Sequence, residues 1–367
     1  MPAARGLALP VVLVVLAMLC QLESSIRPSF AITTAVDRGT TSYWSEAHTS
    51  SPPSRAIIID LGTLGGTHSQ AAAINSVGEV VGSATTASGI GSHAVLWNKD
   101  GIVDLGAPAG YTYSGAMAVN ASGHIAGYGF NPRRDYRGAL WDSRSVSTLT
   151  PSDAISIAYG INNRAQVVGY INLEAARWEK GVPTMLGMLS GDSESIAYGV
   201  NDAGQVVGNS YNRFGDRASH AFIWENGIMN DLGTVPGGSG ASAAAVNDRG
   251  HVVGDARLVE NSAFITHAFL WQKGTMTDLG TLAGGGASAA LALNSRDQVV
   301  GWSGSALGSR RAVLWQGNAL IDLNDLLPAN SGWVLREAVG INDQGVIAGN
   351  GEIDGKSHAF LLRLAGV

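Results

Sequence analysis

The sequence predicts an all-β fold, a seven-bladed β-propeller of four-stranded antiparallel blades. Three observations carry this: one unit recurs seven times in register, every copy reads as short strands between tight turns, and the chain ends are the two strands needed to close a ring. The repeat is counted on its asparagines, Asn75, Asn120, Asn162, Asn201, Asn247, Asn294 and Asn342, spaced 45, 42, 39, 46, 47 and 48 residues apart. A glycine keeps pace in every copy: Gly82, Gly127, Gly169, Gly208, Gly254, Gly301 and Gly349. An aromatic marker follows at Trp97, Trp141, Trp178, Trp224, Trp271 and Trp315, with Leu362 in the seventh place. Periods of this length belong to propeller blades or to helical arrays.

Local pattern decides between them. Ile57-Ile58-Ile59, Glu79-Val80-Val81 and His220-Ala221-Phe222-Ile223-Trp224 are short β-branched or aromatic runs bounded by Gly, Asn or Asp. No stretch after residue 57 carries a helical period of useful length. Each unit supplies four strands. The first is rich in small residues, as in Ser242-Ala243-Ala244-Ala245-Val246, and suits the crowded ring axis. The second is Gly-x-Val-Val-Gly, the third holds His-Ala-Phe-Leu-Trp, and the fourth ends at Asp-Leu-Gly. Four strands per blade is the propeller norm. The repeat region begins with a lone fourth strand, 57–61, and ends with a third strand, 357–363, that lacks a fourth. Pairing these two removes two exposed edges and closes the ring.

The whole chain has 367 residues, 49 of them glycine, with 14% charged and 45% apolar residues. That composition suits a turn-rich β protein and not a disordered chain. The net charge of −6 gives no basic footprint for nucleic acid or an anionic membrane.

Residues 1–31 read as a signal peptide. Arg5 supplies the positive start, and Leu7 to Leu19 is an apolar run too short for a comfortable membrane span. Cleavage is placed after Ser29-Phe30-Ala31, with Ser24/Ser25 as the alternative and an uncleaved anchor as a third outcome. Cys20, the only cysteine, stands where a lipidated cysteine would, but Leu19 before it disfavours that processing. The expected product is a secreted, extracellular or periplasmic monomer without disulfides and without a stable membrane span. Residues 32–55, rich in Thr, Ser and Pro, read as a disordered linker, and 56–367 as the propeller.

Asp231-Leu232-Gly233, Val246-Asn247, Val252-Val253-Gly254 and His267-Ala268-Phe269-Leu270-Trp271 resemble the HAF family of extracellular repeat proteins, as does Asp60-Leu61-Gly62-Thr63-Leu64-Gly65-Gly66. The resemblance covers residues 57–362. Copies two and three depart most, with Arg137-Gly138-Ala139 and Ala175-Ala176-Arg177-Trp178. It implies an exported bacterial protein with propeller-like repeats, and supplies no catalytic residues to carry over.

Residues repeated in every blade are expected to be structural. The Asn-x-x-Gly segments are turns in which Asn bonds its own backbone. His93, His220, His267 and His358 lie in different blades, too dispersed for one metal site, and are expected to bridge strands or blades. Asp60, Asp104, Asp231, Asp278 and Asp322 are expected to cap backbone amides. The turns lack the ligand spacing of a calcium loop, and the glycine runs lack the context of a phosphate loop. No Gly-x-Ser-x-Gly elbow is present. No cofactor, metal or catalytic residue is assigned.

Function is expected where the copies differ. Two connections per blade are tight turns on one face; the other two emerge opposite and vary in length. The candidate ligand-binding residues on this loop face are Tyr111, Tyr113, Arg133, Arg134, Asp135, Tyr136, Asp192, Glu194, Tyr211, Arg213, Asp216, Arg217, Trp302, Arg311, Trp333, Glu337 and Glu352. Aromatics mixed with Arg and carboxylates suit a glycan or protein ligand. A binding module is the leading function. The alternatives are a carbohydrate-active hydrolase or lyase, which needs two carboxyls ~5–10 Å apart, and a passive structural protein.

Overall fold

A computed structural model describes residues 56–364, apart from Ile90, Arg134, Ser143, Arg144, Ser152, 215–218, Asn261 and Ser262. The expected signal peptide and linker lie outside the described residues. Twenty-eight strands form seven four-stranded antiparallel sheets, six of them in sequence order from inside outward. Blade one is typical: β2 (Gly65–Ile74), β3 (Val80–Thr86), β4 (Ser92–Asn98) and β5 (Gly101–Gly106).

Blade seven closes the ring as expected. β26 (Trp333–Ile341), β27 (Val346–Ile353) and β28 (Lys356–Leu364) are completed by β1 (Ala56–Asp60), with Ile58 opposite Leu362. His358 fastens the seam, its Nδ1 lying 2.9 Å from a carboxylate oxygen of Asp60.

Each repeated residue has a mechanical reason. In every blade the innermost strand carries a bulge four to two residues before the asparagine, as between Ala71 and Ala73. The bulge presses that strand's backbone onto the invariant glycine of the second strand. A Cβ on Gly82 would lie 1.9 Å from the carbonyl oxygen of Gln70, and the other six glycines meet the equivalent oxygen at 1.9 to 2.3 Å. Only glycine fits there.

The asparagines do more than cap turns. Each Oδ1 accepts the backbone N–H four residues on. Each Nδ2 donates to the carbonyl of the next blade's asparagine, at 2.9 to 3.2 Å, and Asn342 returns to Asn75. Seven side chains thus form a closed hydrogen-bonded circle. The fourth turn residue takes a left-handed φ, by glycine in five blades and by Ala165 and Asp297 at 57° in the other two.

A buried serine links blades on the other half of the inner strand. Ser69, Ser114, Ser156, Ser195 and Ser288 accept a backbone N–H from the third strand of the preceding blade. The tryptophan Nε1 of blades two, three and six donates to a leucine carbonyl in, or just after, the preceding blade's fourth strand. The Asp-Leu-Gly aspartates cap the amide two residues on, as at Asp104 and Gly106. Three of them also hold the repeat histidine of the adjacent third strand: Asp104 with His93, Asp278 with His267 and Asp60 with His358. Seven hydrophobic clusters fill the gaps between blades, built on such residues as Phe222, Phe269, Phe360 and Trp178.

Candidate functional site at the inner mouth of the loop face

With the asparagine circle on the turn face, the unlike residues gather on the opposite side. Two columns midway along the inner two strands of each blade vary between copies. One is the bulge residue of the inner strand: Ala72, Met117, Tyr159, Tyr198, Ala244, Leu291 or Val339. A bulge re-aims the side chain it carries, and six of the seven remain partly accessible among buried neighbours. The other follows the invariant glycine on the second strand: Ser83, Tyr128, Tyr170, Asn209, Asp255, Trp302 or Asn350.

Blades two to four make the aromatic side. Tyr159 on β10 (Ser156–Ile161) and Tyr198 on β14 (Glu194–Val200) have ring centroids 5.1 Å apart, and Tyr170 lies 6.2 Å from Tyr159. Tyr128, Phe130 and Tyr136 of blade two cluster alongside, with Tyr113 4.9 Å from Phe130. Burial pushes the hydroxyls of Tyr128, Tyr159 and Tyr198 above the ordinary phenol range and that of Tyr170 up to about 12. They are neutral donors at any physiological pH.

Blades four to seven make the charged side. It repeats one motif: a carboxylate deep between blades and an arginine nearer the rim. In blade four the pair is closed. Buried Glu194 accepts from the Tyr211 hydroxyl and from Arg213 at 3.2 Å. In blade five it is open. Asp255 and Arg257 share one face of β19 (Val252–Glu260), yet no ion pair joins them, and Arg257 lies over the Phe264 ring, 5.4 Å from its centroid. Burial raises the Asp255 carboxyl to about 6, only partly offset by Arg257. Across blades six and seven it is open again. Glu337 accepts from Asn350 at 3.0 Å and feels Arg310 without touching it, while Arg310 stacks 4.0 Å over Trp302. Burial raises the Glu337 carboxyl, against the Asn350 bond and the Arg310 charge.

The sequence-predicted residues divide accordingly. Glu194, Tyr211, Arg213, Trp302 and Glu337 belong to this inner mouth. Tyr136, at 6% exposure, belongs to the aromatic cluster with Tyr128 and Phe130, while Trp333 at 9% is packed into the inter-blade core, edge-on to Phe360. Arg311 binds Asp322 at 2.7 Å, taking the place of the repeat histidine in blade six. Asp192 is held by His220, replacing Asp231 as that histidine's partner. Glu352 pairs with Arg336 on the surface. Tyr111 and Tyr113 line the connection from blade one to blade two, and Arg133 and Asp135 stand exposed on a loop ordered by Asn131. Arg134, Asp216 and Arg217 lie outside the described residues. Tyr159, Tyr198 and Asp255 are the mouth residues that loop-length reasoning missed. The signal for them was variation within two columns of the repeat, one otherwise holding Ala, Met, Leu or Val and the other Ser, Tyr, Asn or Trp.

Among the described residues, no group of three or more His, Cys, Asp or Glu side chains could hold a metal ion. No helix among them is long and apolar enough to cross a membrane.

No family model and no characterised protein sequence matches the chain. Among solved structures it is similar to a puromycin-hydrolysing peptidase of Mycobacterium tuberculosis, with a TM-score of 0.55 and 11% identity over 84% of this chain and 53% of that one. The chain thus spans about half the length of that peptidase. A gluconolactonase from Xanthomonas campestris gives 0.42 at 11% identity, covering 87% and 93%. A six-bladed fucose-recognising lectin from Aleuria aurantia gives 0.37 at 10%, covering 68% and 90%. At such identities the likeness concerns the fold alone. With its seven sheets closed through β1 and β28, the chain is a seven-bladed β-propeller.

Proposed function

We propose that this propeller is an exported binding module of the HAF-repeat type, and that it takes a glycan at the inner mouth of its loop face. The observation that carries the reading is the meeting of unlike chemistries there. Tyr159 and Tyr198 stand 5.1 Å apart on blades three and four, and Asp255 of blade five acts electrostatically on Tyr198 and has no hydrogen-bond partner among the described residues. Flat apolar rings flanked by carboxylates and guanidinium groups match a sugar, whose C–H face stacks while its hydroxyls both donate and accept. The regular scaffold holds these groups rigidly, so little ordering cost falls on binding.

The test is a glycan array with the mature protein, followed by calorimetry on the hits. A Tyr159→Ala/Tyr198→Ala double variant is expected to lose binding by about tenfold or more, and the turn-face variant Lys99→Ala to keep it. Hits that survive the double variant place the ligand elsewhere and overturn the reading. A hydrolase remains the second reading, favoured by one observation: an Asp255 carboxyl at about 6 suits a general acid. Cleavage of any array hit, abolished by Asp255→Asn, would convert the module to an enzyme.

A further inference from the structure

The connection from second to third strand leaves each blade on the loop face, and three consecutive blades use it alike. Among the described residues the three most exposed large apolar side chains are Leu307 at 94%, Phe214 at 87% and Phe264 at 72%. Phe214 follows β15 (Val206–Tyr211) of blade four, and Phe264 lies at the start of β20 (Ala263–Gln272) of blade five. Leu307 lies between β23 (Val299–Gly304) and β24 (Arg310–Gln316) of blade six. Single exposed apolar residues are ordinary on a protein surface. Three at one topological position of neighbouring blades are not. Blade five reaches farthest, because β19 has nine residues against six in β15 and β23. The difference projects its hairpin about 10 Å further. Val259 stands directly opposite Phe264 in that projecting part, and Arg257 lies two residues behind Val259 on the same face.

Each blade of this sector pairs its apolar tip with a guanidinium group. Arg213 precedes Phe214 and reaches back to Glu194. Arg257 lies 5.4 Å from the centroid of the Phe264 ring, and Arg310, in the strand after Leu307, lies 4.0 Å from that of Trp302. Neither Arg257 nor Arg310 is in an ion pair among the described residues. The described acids at this end of the sector are engaged: Asp192 by His220, Glu194 by Arg213, Asp278 by His267 and Asp322 by Arg311, while Asp231 caps the amide of Gly233. The connections between blades four and five, 232–239, and between five and six, 281–287, carry no charged residue. Asp216, Arg217 and Glu260 complete the sector's charges by sequence. An apolar tip backed by arginine fits a bilayer: the tip enters the acyl boundary and the guanidinium stays at phosphate depth. The tips stand on separate loops with Gly237-Gly238 and Gly284-Gly285-Gly286 in the connections between them. A fluid surface closes around each tip, whereas a folded partner would need a separate pocket for each. We propose that the loop-face sector of blades four to six is a docking surface for a lipid bilayer with anionic headgroups. It is independent of the glycan reading, whose tyrosines Tyr159 and Tyr198 take no part in it.

The test is sedimentation of the mature protein with phosphatidylcholine vesicles, plain or holding about one third phosphatidylglycerol. The anionic vesicles are expected to bind at least about tenfold more tightly, and added salt to weaken that binding. Phe214→Ser/Phe264→Ser/Leu307→Ser should lose about tenfold or more of the affinity. Arg257→Gln/Arg310→Gln should lose most of the preference for anionic over plain vesicles. On the turn face, Val77→Ser/Ile228→Ser removes two apolar residues of 69% and 62% exposure and should bind as the native protein does. Every change is on the surface, and thermal melts check that each variant folds. Insertion is read with the environment-sensitive dye NBD on Leu307→Cys, whose emission should shift to the blue on anionic vesicles; the same dye on Val77→Cys should not shift. Vesicle binding is expected to survive the Tyr159→Ala/Tyr198→Ala variant, so the docking surface and the glycan reading fail separately. No binding to anionic vesicles, binding untouched by the triple variant, or no blue shift at Leu307→Cys overturns the docking surface. So does a protein ligand that needs the three tips while vesicles are ignored.

Discussion

The side chain of Asn342 donates a 3.2 Å hydrogen bond to the backbone carbonyl of Asn75, a residue 267 positions earlier, and so closes the circle of seven asparagines. The same side chain accepts from the amides of Gln344 and Val346. One residue therefore holds a turn and joins the last blade to the first. Asn342→Ala removes all three bonds, leaving the amides of Gln344 and Val346 without this acceptor and the Asn75 carbonyl with only the Gly78 amide of its own turn. A loss of about 2–3 kcal/mol is expected in urea denaturation. Asn342→Asp keeps both acceptor bonds and removes only the donor to Asn75. A stability equal to the native protein's in that variant would mean that the inter-blade bond contributes nothing.

Closure depends on β1. Its five residues pair along β28, and Ala56 and Ile58 join the core of the last blade. Deleting 57–61 exposes the edge of β28 and uncovers that core. Blades are coupled through shared hydrophobic clusters, so the whole ring is expected to melt earlier in one transition. A native-like melting temperature after deletion would show that the seam is dispensable.

Ala165 occupies the left-handed turn position that five other blades fill with glycine. A Cβ there costs of order 1 kcal/mol, partly offset because glycine gains entropy when unfolded. Ala165→Gly is expected to raise stability by up to about 1 kcal/mol. Gly204→Ala, at the same turn position of blade four, should lower it by a similar amount, and thermal melts of the two variants check the sign.

Asp255 makes stability fall with rising pH. Its carboxyl titrates near 3.9 in an unfolded chain and at about 6 in the fold. Below about pH 4 both states are protonated and burial carries no charge penalty. Between about 4 and 6 the unfolded state ionises first, so folding becomes less favourable; above 6 the penalty is complete, at about 3 kcal/mol. Asp255→Asn should therefore be more stable than the native protein at pH 8 and lose that advantage by pH 4. Parallel denaturation curves at the two pH values check this. A pH-independent difference would place the effect in packing and not in charge.

The repeat alone determined the architecture. Seven registered copies of Asn, Gly and Trp, with a fourth strand at one end and a missing one at the other, left a closed ring as the consistent arrangement. Local chemistry explains that legibility: turn asparagines, β-branched runs and small inner strands act within a few residues. The structural roles of Asp-Leu-Gly and the repeat histidines were legible for the same reason. The circle from Asn75 to Asn342 was not, because each bond spans 39 to 48 residues, or 267 at the seam, and exists only once blades stand side by side. The mouth was legible only in part. Loop variation singled out Glu194 and Glu337 but gave no reason to prefer Tyr159, Tyr198 or Asp255, which sit inside regular strands. Tertiary structure decided their surroundings: a bulge takes Tyr159 and Tyr198 out of the alternating pattern of their strands, and the closeness of blades three and four brings the two rings within 5.1 Å. An unpartnered carboxylate is likewise a statement about neighbours, and Asp255 acquired its character only when the ring closed around it.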